Sequence, residues 1–569
     1  MATTRREILG GLAVGGGTLA FLPQANAQEQ LTGDVIQCSE GLFGIDYTES
    51  EVEQMIIGLD DWAENAARLR AIDQPNSLQP ATTFDPRLPG VSYEMQHNGP
   101  DVAPETDPGP VPSREADIAF SPAWKQSKWL RAGHISSERL TRIYLDRIER
   151  FGGELECFVT VTAELAIEQA RAADAALARG EYASPLQGLP YALKDIVDVA
   201  GIRSTWGATP YQDRIAESDA AVYQRLRESG AVLIGKSTSG AIAYNDLWFG
   251  GLTRNPWNTD EGSSGSSAGS ASAVGAGLAS FAIGTETLGS IVSPSHRCGT
   301  TGLRPTFGRV SRAGAMALCW SLDKIGPLTR SVADTALILE TLNGYDVADA
   351  SSLEMPFGVD WQTDPATLKV GYFPGDFENA AAPDRAALQA VRDIGCELVE
   401  LSLPDLPYGA LGTVVEVEAA AAFEELTLSG GDDALRWQGP NAWPNTWRRA
   451  RLRSAVDYIN VDRFRRTVCE AMAVVFHQCD VIIGPNFASN MLLITNFTGH
   501  PSLIFRSGFV ERTLNPLTAS GAARQEQTHL LPHGTSLWGP LFGEDKLLLL
   551  GREIESRLDV ASERPGQFS

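Results

Sequence analysis

Three side chains of this sequence, one lysine and two serines, could together form an activated nucleophile. Lys194 ends the apolar run Gly188-Leu-Pro-Tyr-Ala-Leu-Lys194, Ser266 lies in a Gly/Ser tract, and Ser290 ends the segment Gly284-Thr-Glu-Thr-Leu-Gly-Ser290. A serine hydroxyl is a weak nucleophile until a neighbouring base takes its proton. A lysine can be that base only when it is neutral, and burial among apolar groups lowers a lysine pKa. The apolar run before Lys194 would provide such surroundings, so the pattern fits a Ser–Lys nucleophile.

Further motifs accompany these residues in a fixed order. Between the two segments and after them lie Gly235-Lys-Ser-Thr238, Thr253-Arg-Asn-Pro-Trp257, Cys298-Gly-Thr-Thr-Gly-Leu-Arg-Pro-Thr306, Thr495-Asn-Phe-Thr-Gly-His-Pro501 and Gly539-Pro-Leu-Phe-Gly-Glu544. Over residues 116–557 the chain therefore resembles the amidase signature family, which cleaves C–N amide bonds by a Ser–Ser–Lys mechanism. The resemblance implies an α/β fold with a central mixed β-sheet flanked by helices.

The Gly/Ser tract contains two Ser-Ser pairs, so its alignment decides which serine takes part. Counting back 24 residues from Ser290, as in the family pattern, gives Ser266 without a gap. The resemblance then implies Ser290 as nucleophile, Ser266 as a bridging serine that relays the proton, and Lys194 as general base. It also implies a cis peptide bond at the bridging serine, which the small neighbours Gly265 and Ala268 would permit.

The resemblance also implies an oxyanion hole, formed by the backbone N–H groups of Thr287, Leu288, Gly289 and Ser290. Each such donor typically stabilises the transition state by about 3 kcal/mol. An acyl-enzyme would form, release ammonia or an amine, and then be hydrolysed by water. The expected substrate is a small-molecule linear amide, and neither a metal nor another cofactor is implied.

Three positions depart from the family pattern. Many members have Asp at the position of Glu286, Gly at Leu288 and Arg at Val292. The side chain of Leu288 is expected to bend the oxyanion loop or narrow the pocket. The missing Arg removes a charge that a nearby acid often pairs with.

Four aromatic residues lie in segments that could border the site, namely Trp206, Trp248, Phe249 and Trp443. Such residues line pockets for apolar acyl or aryl groups, although they are also common in protein cores. The acyl and amine halves of the substrate are therefore left open.

Two other motif matches suggest different chemistry. Gly230-Ala-Val-Leu-Ile-Gly-Lys-Ser237 fits the P-loop pattern, but its apolar middle favours a strand over a phosphate-binding loop. Gly265-Ser-Ser-Ala-Gly269 fits the nucleophile elbow of α/β-hydrolases, with Ser267 as nucleophile and His500 and His533 downstream, although turn residues precede it where a strand is required. A serine esterase using Ser267, and a binding protein that keeps the fold without activity, are the alternatives to an amidase.

Several segments are predicted as helices and strands from their patterns. Glu51 to Ile72 is predicted as one helix with a capping box of Ser50 and Glu53. Ser136 is predicted to cap a helix, and Thr162 to begin one that Gly180 ends. Short buried strands are predicted at residues 231–235, 280–284, 369–373 and 480–484. Helices alternating with apolar strands independently favour a layered α/β fold.

The N-terminus has the pattern of an export signal. Arg5-Arg6 precede a Gly-rich apolar run that ends near Leu22, followed by Ala25-Asn-Ala27. This pattern predicts a twin-arginine signal over residues 1–27 and a periplasmic or secreted protein. Residues 28–115, with a Pro-rich stretch from Gln74 to Pro112, are predicted to form an arm on a catalytic domain of residues 116–569.

Composition limits the partners. The formal charge of −25 repels phosphate backbones and anionic lipids, so neither nucleic acid nor a stable membrane association is expected. Together with the export pattern, it also speaks against a tRNA-dependent amidotransferase, which is another role within the family.

The seven cysteines include no C-x-x-C, so most are expected to be buried apolar groups. The sequence leaves the oligomeric state open, a homodimer included.

Overall fold

The computed structural model describes residues 33–94, 96, 106–515 and 526–569. Contacts divide the chain into two compact units, one ending at Gln74 and the other running from Pro75 to Ser569. The predicted signal of residues 1–27 lies outside the described residues. The predicted boundary between residues 115 and 116 stays a prediction, and residues 75–94 belong by contacts to the second unit.

The described residues of the first unit, 33–74, form three helices: α1 (Gly33–Phe43), α2 (Glu49–Ile56) and α3 (Leu59–Arg70). The prediction of one continuous helix over this region is wrong. Gly58, whose φ is +97°, separates α2 from α3, and glycine is the residue that adopts this conformation without strain.

The capping box of α2 also differs from the prediction. Thr48 and Glu51 form it, because the Thr48 hydroxyl accepts the N–H of Glu51 and the Glu51 carboxylate accepts the N–H of Thr48. Ser50 and Glu53 were the predicted pair. The two pairs have the same spacing, so the sequence pattern alone did not distinguish them.

The second unit is built from sixteen helices and fifteen strands among its described residues. The helices are α4 (Glu115–Phe120), α5 (Ala123–Arg131), α6 (Ser137–Leu155), α7 (Ala163–Ala178), α8 (Ala221–Glu228), α9 (Ala268–Gly275), α10 (Val292–Cys298), α11 (Val332–Leu342), α12 (Pro374–Glu378), α13 (Ala382–Ile394), α14 (Gly412–Ala422), α15 (Glu424–Leu428), α16 (Trp443–Ala450), α17 (Ala455–Phe476), α18 (Met491–Thr498) and α19 (Glu544–Leu558). The strands are β1 (Phe158–Val161), β2 (Pro190–Lys194), β3 (Val232–Ser237), β4 (Leu247–Trp248), β5 (Gly251–Leu252), β6 (Arg254–Asn255), β7 (Asn258–Gly262), β8 (Phe281–Glu286), β9 (Thr301–Arg304), β10 (Lys324–Thr329), β11 (Lys369–Tyr372), β12 (Glu397–Glu400), β13 (Val481–Pro485), β14 (Ser502–Thr513) and β15 (Thr528–Trp538).

Eleven of these strands form one mixed sheet in the order β1-β3-β2-β8-β10-β9-β14-β15-β13-β11-β12. β2 pairs in parallel with β3 and β8, whereas β10 runs antiparallel to β8. The helices flank this sheet, and the predicted layered α/β fold is confirmed. The central strands β2 and β8 end at Lys194 and Glu286, so the sheet brings two of the sequence motifs to neighbouring positions.

Most of the predicted local elements are also confirmed. Ser136 caps α6 by accepting the N–H of Arg139, and Gly180 follows α7 with a φ of +78°. The four predicted strands correspond to β3, β8, β11 and β13. The P-loop match falls on β3, which is buried along its whole length, and a buried strand cannot wrap a phosphate group.

Six of the seven cysteines are buried, as expected, and Cys38 is exposed. Within the described ranges, no helix is both long and apolar enough to cross a membrane. The same residues contain no group of three or more His, Cys, Asp or Glu side chains placed to hold a metal ion.

Candidate active site

Lys194, the last residue of β2, is fully buried and surrounded by hydroxyl groups. Its Nζ lies 2.8 Å from Ser266 Oγ, 3.1 Å from Ser267 Oγ and 2.8 Å from Thr285 Oγ1. Burial lowers the pKa of Lys194 well below its usual value, which outweighs the opposing effect of more distant carboxylates. The amine is therefore held in surroundings that favour its neutral, proton-accepting form.

Ser266 lies in a tightly enclosed loop before α9. The peptide bond between Gly265 and Ser266 is cis, as the family resemblance implies. A Cβ at Gly265 would come within 1.8 Å of the carbonyl oxygen of Asn245, so only glycine fits there. The carbonyl of Ser266 accepts the N–H of Gly240 at 3.2 Å. The segments that contain Asn245 and Gly240 thus hold Ser266 next to Lys194.

Ser290 lies in the loop between β8 and α10 and is 8% exposed. Its carbonyl accepts the N–H of Ser267 at 3.1 Å, which joins this loop to the Gly/Ser tract. The preceding Gly289 has a φ of +91°, a conformation that favours glycine. The structure thus brings Lys194 and Ser266 into hydrogen-bond contact and ties Ser290 to the same loop through the main chain.

The predicted oxyanion loop is anchored at Thr287. The Thr287 hydroxyl donates to Asp323 Oδ1 at 2.5 Å, and the other carboxylate oxygen of Asp323 accepts the N–H groups of Leu318 and Cys319. Leu288, the residue expected to bend the loop or narrow the pocket, is 38% exposed, so much of its surface faces solvent. The roles of Thr287, Leu288 and Gly289 as donors stay predictions.

Glu286 is buried beneath this loop and is saturated with hydrogen bonds. One carboxylate oxygen accepts from Arg304 and Asn496, both at 2.9 Å, and the other accepts the N–H groups of Ile291 and Val292 at 2.8 and 3.0 Å. Burial alone would raise the pKa of Glu286, but Arg304 and these donors outweigh it and lower the pKa. Glu286 therefore fixes the start of α10, directly after Ser290.

Arg304 supplies the positive charge that pairs with the buried Glu286. It reaches Glu286 from β9, which lies two strands away from β8 in the sheet. Sequence analysis missed this pair, as it missed the contact of Thr285 with Lys194. Both residues lie inside quoted motifs, but a motif does not tell which of its side chains meet across the sheet.

A cavity of about 320 Å³ opens beside these residues. Thr285 and Thr287 line it, together with Ile196, Ala243, Met316 and Trp320. Its volume is near the lower end of the roughly 300–1,000 Å³ that is usual for small-molecule sites.

The four aromatic residues singled out from the sequence lie outside the lining of this cavity. Trp206 packs on Tyr211, Trp248 on Phe249, and Trp443 on Tyr244. They are not part of the cavity lining, in which Trp320 is the aromatic residue.

Ser267, the nucleophile of the esterase alternative, is fully buried and engaged by the main chain. Its hydroxyl donates to the carbonyl of Thr285 at 3.0 Å and accepts the N–H of the same residue at 3.1 Å. His500 bonds to a threonine in its own turn, and His533 bonds to a carboxylate of α13. Neither histidine is therefore placed as a base for Ser267.

Comparison with known proteins identifies the family. A family model described as Amidase matches residues 139–548. A glutamyl-tRNA(Gln) amidotransferase subunit of Dechloromonas aromatica is 34% identical, and the alignment covers 77% of this chain and 97% of that protein. The corresponding protein of Chromohalobacter salexigens is 31% identical over 77% and 96% of the two chains.

Solved structures agree with this match. The native peptide amidase of Stenotrophomonas maltophilia is 27% identical, with a TM-score of 0.67 over 80% of this chain and 100% of its own. A bacterial aryl acylamidase, 21% identical with a TM-score of 0.66 over 79% and 97% of the two chains, shares the fold. From its sequence match, its sheet and its buried lysine among serines, this chain belongs to the amidase family.

Proposed function

We propose that this chain hydrolyses the carboxamide bond of a small linear amide, with Ser290 as nucleophile, Ser266 as bridging serine and Lys194 as general base. The observation that carries the proposal is the buried Lys194 Nζ at 2.8 Å from Ser266 Oγ. Burial favours the neutral amine, which is the form that can take a proton. Membership of the amidase family supports the same assignment.

The first half-reaction forms an acyl-enzyme. Ser290 Oγ bonds to the carbonyl carbon while its proton passes through Ser266 to Lys194. Backbone N–H groups of residues 287–290 stabilise the negative charge on the carbonyl oxygen. The C–N bond then breaks, and the relay delivers the proton to the nitrogen, which leaves as ammonia or an amine.

The second half-reaction restores the enzyme. Water attacks the acyl carbon while Lys194, again through Ser266, takes a proton from it. The ester bond to Ser290 breaks, its oxygen regains a proton, and the carboxylic acid is released. Every step uses groups of this chain and water, so the proposal needs no cofactor.

The test is hydrolysis of a panel of aliphatic and aryl amides by the wild type and by Ser290→Ala, Lys194→Ala and Ser267→Ala. We expect Ser290→Ala and Lys194→Ala to lose turnover, and Ser267→Ala to keep a measurable part of it. Turnover that survives without Lys194 but not without Ser267 would contradict the proposal and favour the esterase. A folded wild type that neither turns over amides nor becomes labelled at Ser290 by an alkyl phosphonate would favour a binding role.

A second candidate is a glutamine-hydrolysing subunit that passes ammonia to a partner. The identity of 34% to an amidotransferase subunit favours it, whereas the charge of −25 opposes an RNA-coupled role. Glutamine as the best substrate of the panel, with turnover dependent on a second protein, would support this candidate. Efficient hydrolysis of simple amides by the isolated chain would contradict it.

Export is a separate proposal that rests on the N-terminal pattern Arg5-Arg6 and Ala25-Asn-Ala27. We propose cleavage after Ala27 and a periplasmic or secreted enzyme. N-terminal sequencing of the protein from cell fractions tests it, and Arg5→Lys combined with Arg6→Lys should retain the precursor in the cytoplasm. An uncleaved wild-type chain in the cytoplasm would contradict export.

A further inference from the structure

A short segment of the chain borders the cavity beside Lys194 and the oxyanion loop. This segment, residues 75–80, is here called the strap. Ser77 and Gln79 of the strap line the cavity together with Thr285 and Thr287. The strap precedes residue 139, where the match to the family model begins. Part of the substrate cavity is therefore built from sequence that the family model does not include.

Asn76 fixes the strap to a loop that itself lines the cavity. Its side-chain oxygen accepts the N–H of Ala317 at 2.7 Å, and its side-chain nitrogen donates to the carbonyl of Ala317 at 2.8 Å. The indole N–H of Trp320 donates to the Asn76 carbonyl at 3.3 Å. Since Ala317 and Trp320 both line the cavity, these bonds set the position of the strap at its border.

Gln79 joins the strap to a buried ion pair whose arginine also lines the cavity. Its side-chain nitrogen donates to Asp349 Oδ1 at 3.0 Å, and its oxygen accepts the N–H of Ala350 at 3.1 Å. Asp349 in turn binds the guanidinium of Arg312, which lines the cavity, with bonds of 2.9 and 3.0 Å. Charge-assisted, two-point pairs of this kind hold their partners in one geometry. The strap is thus held at both ends.

We propose that the strap is a specificity-determining wall that limits the length of the substrate group entering the cavity, so that this enzyme selects short amides. The inference rests on the function proposed above. It follows from the position of Ser77 and Gln79 in the lining, from the two-ended fixation of the strap, and from a cavity volume of about 320 Å³. A wall that does not move excludes longer groups by steric contact.

The test uses two substrate series and a matched pair of variants. One series lengthens the acyl chain of anilides, and the other lengthens the amine of acetamides. Ser77→Trp places a large side chain in the cavity lining, whereas Leu78→Trp places the same side chain at a neighbour that is 57% exposed and outside the lining. In at least one series, we expect Ser77→Trp to lower kcat/KM for the longest accepted substrate about tenfold more than for the shortest. Leu78→Trp should leave this ratio within about twofold of the wild type.

A third variant tests the wall in the opposite direction. Asn76→Ala removes the bonds to Ala317 and should raise kcat/KM for long substrates relative to short ones by about threefold or more, since the strap can then yield. Its fold is checked by thermal unfolding, and it keeps the inference testable if Ser77→Trp does not fold. Labelling of Ser290 by a methyl and by an octyl phosphonate should show the same length dependence.

The outcomes separate the two proposals. If the wild type is active and Ser77→Trp and Asn76→Ala both keep its length profile in both series, the strap is not a specificity wall, although the proposed function stands. If the wild type is inactive on every amide and Ser290 is not labelled even by the methyl phosphonate, the proposed function fails, and the inference that rests on it fails too.

Discussion

At the scale of single residues, the groups around Lys194 leave its amine able to accept a proton. Three hydroxyl oxygens surround its Nζ, and no ion pair to a carboxylate is found for it among the described residues. A carboxylate at contact distance would hold the lysine charged and unable to act as a base. Hydroxyl groups can instead donate to a neutral amine or accept from it, so they suit a proton relay.

This arrangement predicts the pH dependence of turnover. The pKa of Lys194 lies well below its usual value because of burial, and only the neutral form is active, so kcat/KM should fall as the pH drops through that pKa and level off above it. Lys194→Ala should lower kcat by about 10²- to 10⁴-fold.

The control for this pH profile is a second buried lysine. Burial also lowers the pKa of Lys324 well below its usual value, so Lys324 is a competing source of such a dependence. Lys324→Met should keep the acidic limb of the profile. If Lys324→Met lacks the acidic limb, that limb reports the titration of Lys324 and not of Lys194, which would contradict our interpretation.

The buried pair of Glu286 and Arg304 leads to a prediction about stability. Glu286→Gln leaves the guanidinium of Arg304 buried without its counter-charge, which should lower the free energy of unfolding by about 3–5 kcal/mol. It should also lower kcat, because it removes the carboxylate that accepts the N–H groups of Ile291 and Val292, directly after the proposed nucleophile Ser290. Urea unfolding and steady-state kinetics measure the two effects.

A double variant separates charge from packing at this pair. Combining Glu286→Gln with Arg304→Met removes both charges, and we expect part of the lost stability to return while kcat stays low. If the double variant loses as much stability as Glu286→Gln and Arg304→Met lose in sum, the two side chains do not act as a pair.

At the scale of elements, the loop before α9 depends on a close approach of two main-chain segments. Gly265→Ala would push the loop away from the Asn245 carbonyl, which lies 1.8 Å from the position of the new Cβ. Because a displacement of about 1 Å in an active site can cost 10²-fold in rate, we expect a loss of kcat of that order. The rate of Ser290 labelling should fall in parallel.

Gly375→Ala is the matched control for this change. Gly375 lies in α12, and a Cβ added there would meet nothing within 4 Å. This variant should keep the wild-type rate. If Gly265→Ala is as active as Gly375→Ala, the loop tolerates movement and the close approach has no catalytic importance.

The same elements show what sequence analysis could and could not predict. The motifs that contain Lys194 and Ser290 carry local patterns, so their order along the chain was readable, and the strand before Ser290 was predicted. The strand β2, which ends at Lys194, was not among the predicted strands, because its segment was recognised only as an apolar run. The Arg304–Glu286 pair joins residues 18 positions apart on different strands, and the bond of Gln79 to Asp349 joins residues 270 positions apart. No local pattern encodes either contact. The break of the first helix at Gly58 was missed because apolar spacing continued through it.

At the scale of the whole molecule, the division of the chain into two units places every proposed catalytic residue in the second unit. The proposed catalytic residues, the cavity and the strap all lie in the unit that begins at Pro75, and the family match of residues 139–548 lies within it. The described residues of the unit that ends at Gln74 contribute nothing to the lining of this cavity. The large negative charge belongs to the chain as a whole and favours solubility rather than any one step of the reaction.

This division predicts that a chain beginning at Pro75 folds and hydrolyses amides. Because that unit contains the eleven-stranded sheet and every proposed catalytic residue, its kcat/KM for a short amide should stay within about twofold of the full chain, and its length profile should be unchanged. A chain beginning at residue 81 is the informative comparison, since it lacks the strap as well and should accept longer substrates. Loss of folding or turnover in the chain that begins at Pro75 would show that the N-terminal unit is needed for the structure of the catalytic unit.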